Sequence, residues 1–87
     1  MLFLGGWKKF SAYAQGYTNT NDLPTMSITW AASNQISNAA ESSGYHVYIT
    51  FINDAAVEGE SAQMAFNIYT SKVLTRVCAS GVWKGWI

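Results

Sequence analysis

Apolar and polar positions alternate over much of the second half of this chain. Residues 45–52, Tyr-His-Val-Tyr-Ile-Thr-Phe-Ile, follow Gly44 and are rich in β-branched and aromatic side chains, which predicts a strand. A polar connection from Asn53 to Glu60, containing Gly59, leads into residues 63–70, where Met64, Phe66 and Ile68 share one face. Ser71-Lys72 is a tight-turn candidate, residues 73–77 run back, and Ser80-Gly81 turns into residues 82–86. Links this short predict a β-meander for the last three segments. In the first half, Met26-Ser27-Ile28-Thr29-Trp30 alternates with period two and predicts a short strand. Residues 11–25 carry the Gly, Asn and Asp of loop chemistry, and Pro24 biases Leu23 to extended backbone. Residues 31–43 are small and polar, with room for one or two helical turns, and read mainly as loop. The expected fold class is all-β: a small antiparallel meander or sandwich-like domain.

Composition narrows the function. Hydrophobic residues make up 49% of the 87 and aromatics 15%, enough for a core and against disorder. Charged residues are only 11%, against about 25% in ordinary soluble domains. A surface so poor in charge is expected to be covered in part, most simply by copies of the same chain. Five basic and five acidic residues cancel, and Lys8-Lys9 is the one adjacent basic pair. Nucleic-acid binding through counterion release needs a basic stripe, so no nucleic-acid partner is expected. Met1-Leu2-Phe3-Leu4 stops at Gly5-Gly6, too short for the roughly 20 apolar residues of a bilayer span. It also lacks the basic flank and cleavage site of a signal peptide. Neither membrane insertion nor export is expected, and synthesis in a cytoplasm fits.

Catalytic and metal chemistry find little support. Cys78 is the sole cysteine and His46 the sole histidine, which excludes an internal disulfide and a Cys/His zinc site. Cys78 reads as a small buried hydrophobe, and His46, in a β segment, as a half-exposed structural residue. Serines lack the glycine pattern of a nucleophile elbow. Asp54, Glu58 and Glu60 share a loop. Paired carboxylates could serve a glycosidase or a calcium ion, but a solvated acidic loop is the plainer reading. The expectation is a non-enzyme with no cofactor and no metal.

The closing stretch, Arg76-Val-Cys-Ala-Ser-Gly81-Val82-Trp83-Lys84-Gly85-Trp86, holds two of the four tryptophans. Its pattern of Arg, then Gly-x-Trp-x-x-Trp, resembles the closing signature of the pyocin-knob family of phage and pyocin tail fibres. Asp22-Leu23-Pro24-Thr25 resembles that family's Asp-Leu-x-Thr opening, and Gln63 stands where those modules place a glutamine ahead of a strand. The glycine and aromatic that usually follow the opening are replaced here by Met26-Ser27-Ile28-Thr29-Trp30. The resemblance covers residues 22–86. It implies a module of a homotrimeric tail fibre, carried on a preceding fibre stem in a virion or tail-like bacteriocin. Its work would be attachment to bacterial envelope polysaccharide or fibre architecture, without catalysis. The opening Gly5-Gly6-Trp7-Lys8-Lys9-Phe10 echoes the close, so residues 1–21 are read as a segment that could end a preceding module, and residues 22–87 as the knob.

Two sets of residues are singled out. Arg76, Gly81, Trp83 and Trp86 read as a structural motif in which the guanidinium stacks on an indole and pins the last turn. The alternative is that Arg76 meets an anionic sugar. Trp30, Tyr45, Tyr48 and Tyr69, flanked by Asn34, Gln35, Asn53 and Asn67, are the ligand-binding candidates. Sugar rings lay their C–H faces on aromatic planes while amides read the hydroxyls. For each aromatic taken singly, a place in the core or a subunit seam is the competing reading.

Overall fold

The computed structural model describes residues 6–87, and Met1-Leu2-Phe3-Leu4 and the Gly5 of the opening echo lie outside the described residues. The chain forms one six-stranded sheet whose strands lie side by side in sequence order: β1 (Lys8–Ser11), β2 (Ser27–Ala32), β3 (Tyr45–Asp54), β4 (Glu60–Asn67), β5 (Val73–Ala79) and β6 (Val82–Trp83). The all-β reading holds. From β2 to β6 every neighbour is antiparallel, whereas β1 runs parallel to β2, so the sheet is mixed rather than purely antiparallel, and among the described residues there is no second sheet to make a sandwich. β1 was not legible because Lys8-Lys9-Phe10-Ser11 has no alternation, and a parallel edge needs a long crossover. The crossover here is the loop-rich stretch between β1 and β2. Ala12 lies in the core, so the described part of residues 1–21 packs with the rest.

Segment limits moved for local reasons. The fourth strand starts at Glu60 and stops at Asn67, because the Asn67 side-chain Oδ1 accepts the backbone N–H groups of Tyr69 (2.8 Å) and Thr70 (3.3 Å) and turns the chain there. Ser71 completes that turn in the left-handed region. Residues 31–43 hold a single 3-10 turn, Ser33–Gln35, capped by Gln35 Oε1 accepting from the Ala32 N–H at 3.1 Å. The other 3-10 turn, Thr20–Asp22, is capped by Asn19. Beyond β6 the chain stays on the β5 edge, with Thr75 and Ile87 exchanging backbone hydrogen bonds.

The two faces of the sheet have opposite polarity, and the order is inverted. The face covered by the loop layer (residues 12–40) and by Trp86 presents Ser27, Thr29 and Ala31 from β2, then His46, Tyr48 and Thr50 from β3. It continues with Ser61, Gln63, Ala65 and Asn67 from β4, and Leu74, Arg76 and Cys78 from β5, all buried. Most of these are polar. The apolar residues packed among them are Ala12, Leu23, Ile36 and Ala40 from the loops, with Tyr48 at the centre. His46 is fully buried rather than half-exposed, because its ring lies under this layer.

The opposite, outer face is almost wholly apolar from β2 to β5, while at its β1 edge Lys9 stands opposite Ile28 and Ser11 opposite Trp30. Trp30, Val47, Phe66 and Val73 stand in one row across β2–β5, Ile28, Ile49, Met64 and Thr75 in the next, and Ala62 beside Val77 in a third. A bulge between Thr50 and Ile52 adds Phe51 and Ile52 to this side. Phe51, Ile52, Phe66, Val73, Val77 and Val82 are exposed there. A sheet with one solvated face normally turns its polar alternation outward. Here the polar alternation is turned inward, onto loops that supply hydrogen bonds.

Candidate functional site

The closing motif builds a cage. Arg76 projects from β5 into the covered side and is 5% exposed. Its Nε donates to Gln63 Oε1 at 2.8 Å, and its Nη2 donates to Thr20 Oγ1 at 2.6 Å and Asn21 Oδ1 at 2.8 Å. The Trp83 ring lies 4.0 Å from the guanidinium carbon and the Trp86 ring 4.8 Å. Gly81, at φ +80°, makes the tight turn that places Trp83 opposite Cys78 and beside Arg76. The Trp86 indole N–H then donates to the Asn38 carbonyl at 2.9 Å. All the acceptors are neutral: among the described residues no carboxylate pairs with this guanidinium. Burial accordingly lowers the Arg76 pKa to about 10, which still leaves it charged at neutral pH. Arg76 is directed into its own fold, with 5% of its surface exposed.

The sugar-binding candidates separate. Tyr48 is fully buried, its hydroxyl accepting the Ala40 N–H at 3.1 Å and its ring 5.7 Å from Trp86. Burial also raises its pKa. It is the centre of the core and cannot touch a ligand. Asn67 is buried, with its amide oxygen on the Tyr69–Thr70 turn and its Nδ2 on Glu41, so it is a strand terminator. Trp30 lies on the outer sheet face in the row of Val47 and Phe66. Gln35 is committed to the Ala32 cap. Asn53 spends its amide on the carbonyls of Asn21 and Leu23 and on the Ala55 N–H.

Tyr45 and Tyr69 do come together. They line a hollow of about 300 Å³ with Ser33, Asn34, Ser42 and Ser43, and Tyr69 is largely exposed. The Ser33 hydroxyl is buried there without a partner. A second, larger cleft of about 490 Å³ lies at the other end of β3, against Trp83 and the turn after Asp54. That cleft was missed in the sequence because its walls come from three separate segments. The signals for it were scattered: Trp83 read as packing, Asn53 as a flank of the sugar-binding aromatics and Asp54 as part of a solvated acidic loop.

Of the three acids, Asp54 and Glu60 are cross-strand partners at the end of the β3–β4 ladder, while Glu58 sits on the turn that connects them. The Asp54 carbonyl gathers the N–H groups of Val57, Glu58 and Gly59 into a turn, Glu58 and Glu60 are exposed, and no metal-sized cluster of His, Cys, Asp or Glu occurs among the described residues. No helix among them is long and apolar enough to cross a membrane.

Beside the Tyr69 turn sits a polar knot built on Glu41. Glu41 Oε1 accepts from Asn67 Nδ2 and from His46 Nε2, both at 2.9 Å, and Lys72 lies 3.4 Å from Oε2. The Asn67 hydrogen bond, then that of His46, holds the Glu41 carboxyl down to about 2, against desolvation that pushes it up. Comparison with models of protein families, with curated proteins and with solved structures returns no match.

Two outcomes follow from the cage and the knot. Arg76→Met leaves Gln63, Thr20 and Asn21 short of a donor in a buried site and is expected to cost roughly 3–5 kcal/mol of stability, read by thermal or urea unfolding. A loss under about 1 kcal/mol would show that the cage is not structural. For Glu41, the folded-state pKa lies below the unfolded value of 4.5. Its stabilising contribution is therefore present above about pH 4.5 and lost as pH falls toward about 2. Glu41→Gln is expected to flatten that part of the unfolding-versus-pH curve, and an unchanged curve would refute the assignment.

Proposed function

We propose that this chain is a tail-fibre tip module of a phage or phage-tail-like bacteriocin, working as a homotrimer that attaches to bacterial surface glycans. The observation that carries the reading is the outer sheet face. Monomeric proteins seldom expose a contiguous apolar patch beyond a few hundred Å². Here three cross-strand rows from β2 to β5 carry no charged side chain at all. Burying a Val, Ile or Phe completely is worth ~1.5–3 kcal/mol. Several half-exposed residues together can therefore offset an association cost of about 4–15 kcal/mol. The partner must itself be apolar and uncharged, and the same face of a second and third copy meets that requirement. A neutral chain adds no long-range repulsion between copies.

Attachment rests on the resemblance of the closing motif, together with two open hollows that set aromatic rings beside hydroxyl, amide or carboxylate groups. One weak saccharide site per chain becomes useful when three are presented on each of several fibres. The apolar face would serve equally in a module that only caps and registers the fibre, so the two roles are separated by binding.

Light scattering on the purified chain is expected to give a mass three times that of the 9.6 kDa protomer. A stable monomer at micromolar concentration, both alone and fused to a trimerising stem, contradicts the assembly. The assembled protein is then incubated with a panel of lipopolysaccharides and capsules, and reducing ends are assayed. Binding without new reducing ends is expected. New reducing ends would make it a hydrolase, and no binding to any envelope, intact cells included, would leave the architectural role.

A further inference from the structure

The larger cleft has the walls of a binding site rather than of a surface irregularity. It is bounded by the Thr20–Asp22 turn, Pro24, the turn after Asp54 and the final hairpin, and its lining includes Asn21, Asp22, Asp54, Val57 and Trp83. Each wall is fixed from behind. Arg76 covers one side of the Trp83 ring at 4.0 Å and holds the Asn21 amide oxygen at 2.8 Å. Asn53 ties down the Asn21 and Leu23 carbonyls at 2.8 and 2.7 Å. The Asp54 carbonyl gathers three N–H groups, and the loop they form is locked to the hairpin by Gly81 N–H donating to the Gly59 carbonyl at 2.9 Å. The two turns touch so closely that a Cβ on Gly59 would sit 2.6 Å from the Gly81 nitrogen. A site whose walls are already immobile loses little entropy when a ligand enters.

We infer that this cleft seats a neutral, hydroxyl-rich pyranose. The apolar ring face would lie on Trp83, and the hydroxyls would donate to the carboxylates of Asp22 and Asp54. The inference rests on the glycan-attachment reading above and names the ligand class of its site. Three observations select the chemistry. The ionisable groups lining the cleft are both acids, and neither forms an ion pair among the described residues. Their oxygens are acceptors only, matched to the O–H donors of a sugar through charge-assisted hydrogen bonds. Arg76, the cation behind Trp83, is 5% exposed and has its Nε and Nη2 donors already committed to Gln63, Thr20 and Asn21. An acidic sugar would bring like charge to Asp22 and Asp54, so the cleft selects against uronic acids and phosphorylated sugars. The Tyr45–Tyr69 hollow is different in kind: it is lined by serines, Asn34 and tyrosines, carries no charge, and sits about 30 Å away along β3 by strand rise.

The assembled, isotope-labelled protein is titrated by NMR with the methyl glycosides of glucose, galactose, mannose, rhamnose and N-acetylglucosamine. Methyl glucuronide is the anionic probe, and adsorption of the same protein to a panel of bacterial cells is scored in parallel. The expected result is saturable shifts at the Trp83 indole N–H and at the backbone of Asn21, Asp22 and Asp54 for at least one neutral glycoside. The glucuronide is expected to bind at least ten-fold more weakly than the glucoside. The double change Asp22→Asn, Asp54→Asn is expected to keep the spectrum of the fold, weaken the neutral glycoside and narrow the ten-fold gap. Shifts confined to Tyr45 and Tyr69, equal or tighter binding of the glucuronide, or no saturable shift with any probe would each overturn the assignment of this cleft. Where that happens while cells are still bound, glycan attachment stands and only its location or ligand class falls. Where no cells are bound either, both fail.

Discussion

A buried guanidinium without an anionic partner sets the terms for the rest of this fold. Removing Arg76 from water is costly, and the cost is met by neutral oxygens and two indole faces instead of a carboxylate. Those partners come from β4, from the first 3-10 turn and from the closing segment. Satisfying one side chain therefore fixes the distance between sheet, loop layer and C-terminal hairpin at once. Gln63 extends the same network, donating to the Thr20 carbonyl at 2.7 Å and to Thr50 Oγ1 at 3.2 Å. Thr20 passes it on to the Asn38 carbonyl at 2.9 Å, where Trp86 also donates. A polar hub of this kind specifies one arrangement of loops, since any other leaves buried donors and acceptors unpaired.

That choice has a consequence on the other side of the sheet. Polar side chains fill the covered face, so the apolar half of each strand's alternation is left on the outer face. The core proper is small: alanines, three larger aliphatic side chains and Tyr48. A domain of this size with so little apolar burial is expected to be marginal alone. It gains most of what it lacks if Trp30, Ile49, Phe66 and Val77 are covered. Covering that face would then reinforce a fold that the polar hub already specifies, which fits a chain with few charges and many aromatics.

Much of the fold was legible and the burial was not. Residues 45–52 and 73–77 announced strands through β-branched and aromatic composition, and the short links fixed the meander. The alternation of Met64, Phe66 and Ile68 was equally visible, but period two states only that faces differ, not which is covered. Gln63, Arg76 and Asn67, on the opposite positions, decide that question through partners 26 to 56 residues away. No local pattern contains such partners. The same distance explains the candidate residues: Tyr45 and Tyr69 meet because β3 and β4 pair end to end, whereas Tyr48, three residues from Tyr45, points into the core. Trp83 was legible as part of a motif, but its position in a cleft wall depends on three segments coming together.

The account stands or falls on the outer sheet face. Phe66→Lys with Val77→Lys changes two side chains that a single protomer leaves partly exposed, at 37% and 47%, and that lie outside the buried core. Sedimentation of this variant, with circular dichroism as the control for β structure, tests the claim most directly. The account predicts a folded species of 9.6 kDa in place of the assembly. A variant that keeps its β spectrum and still sediments as the full oligomer would mean that the copies meet elsewhere, and that the apolar face has some other purpose.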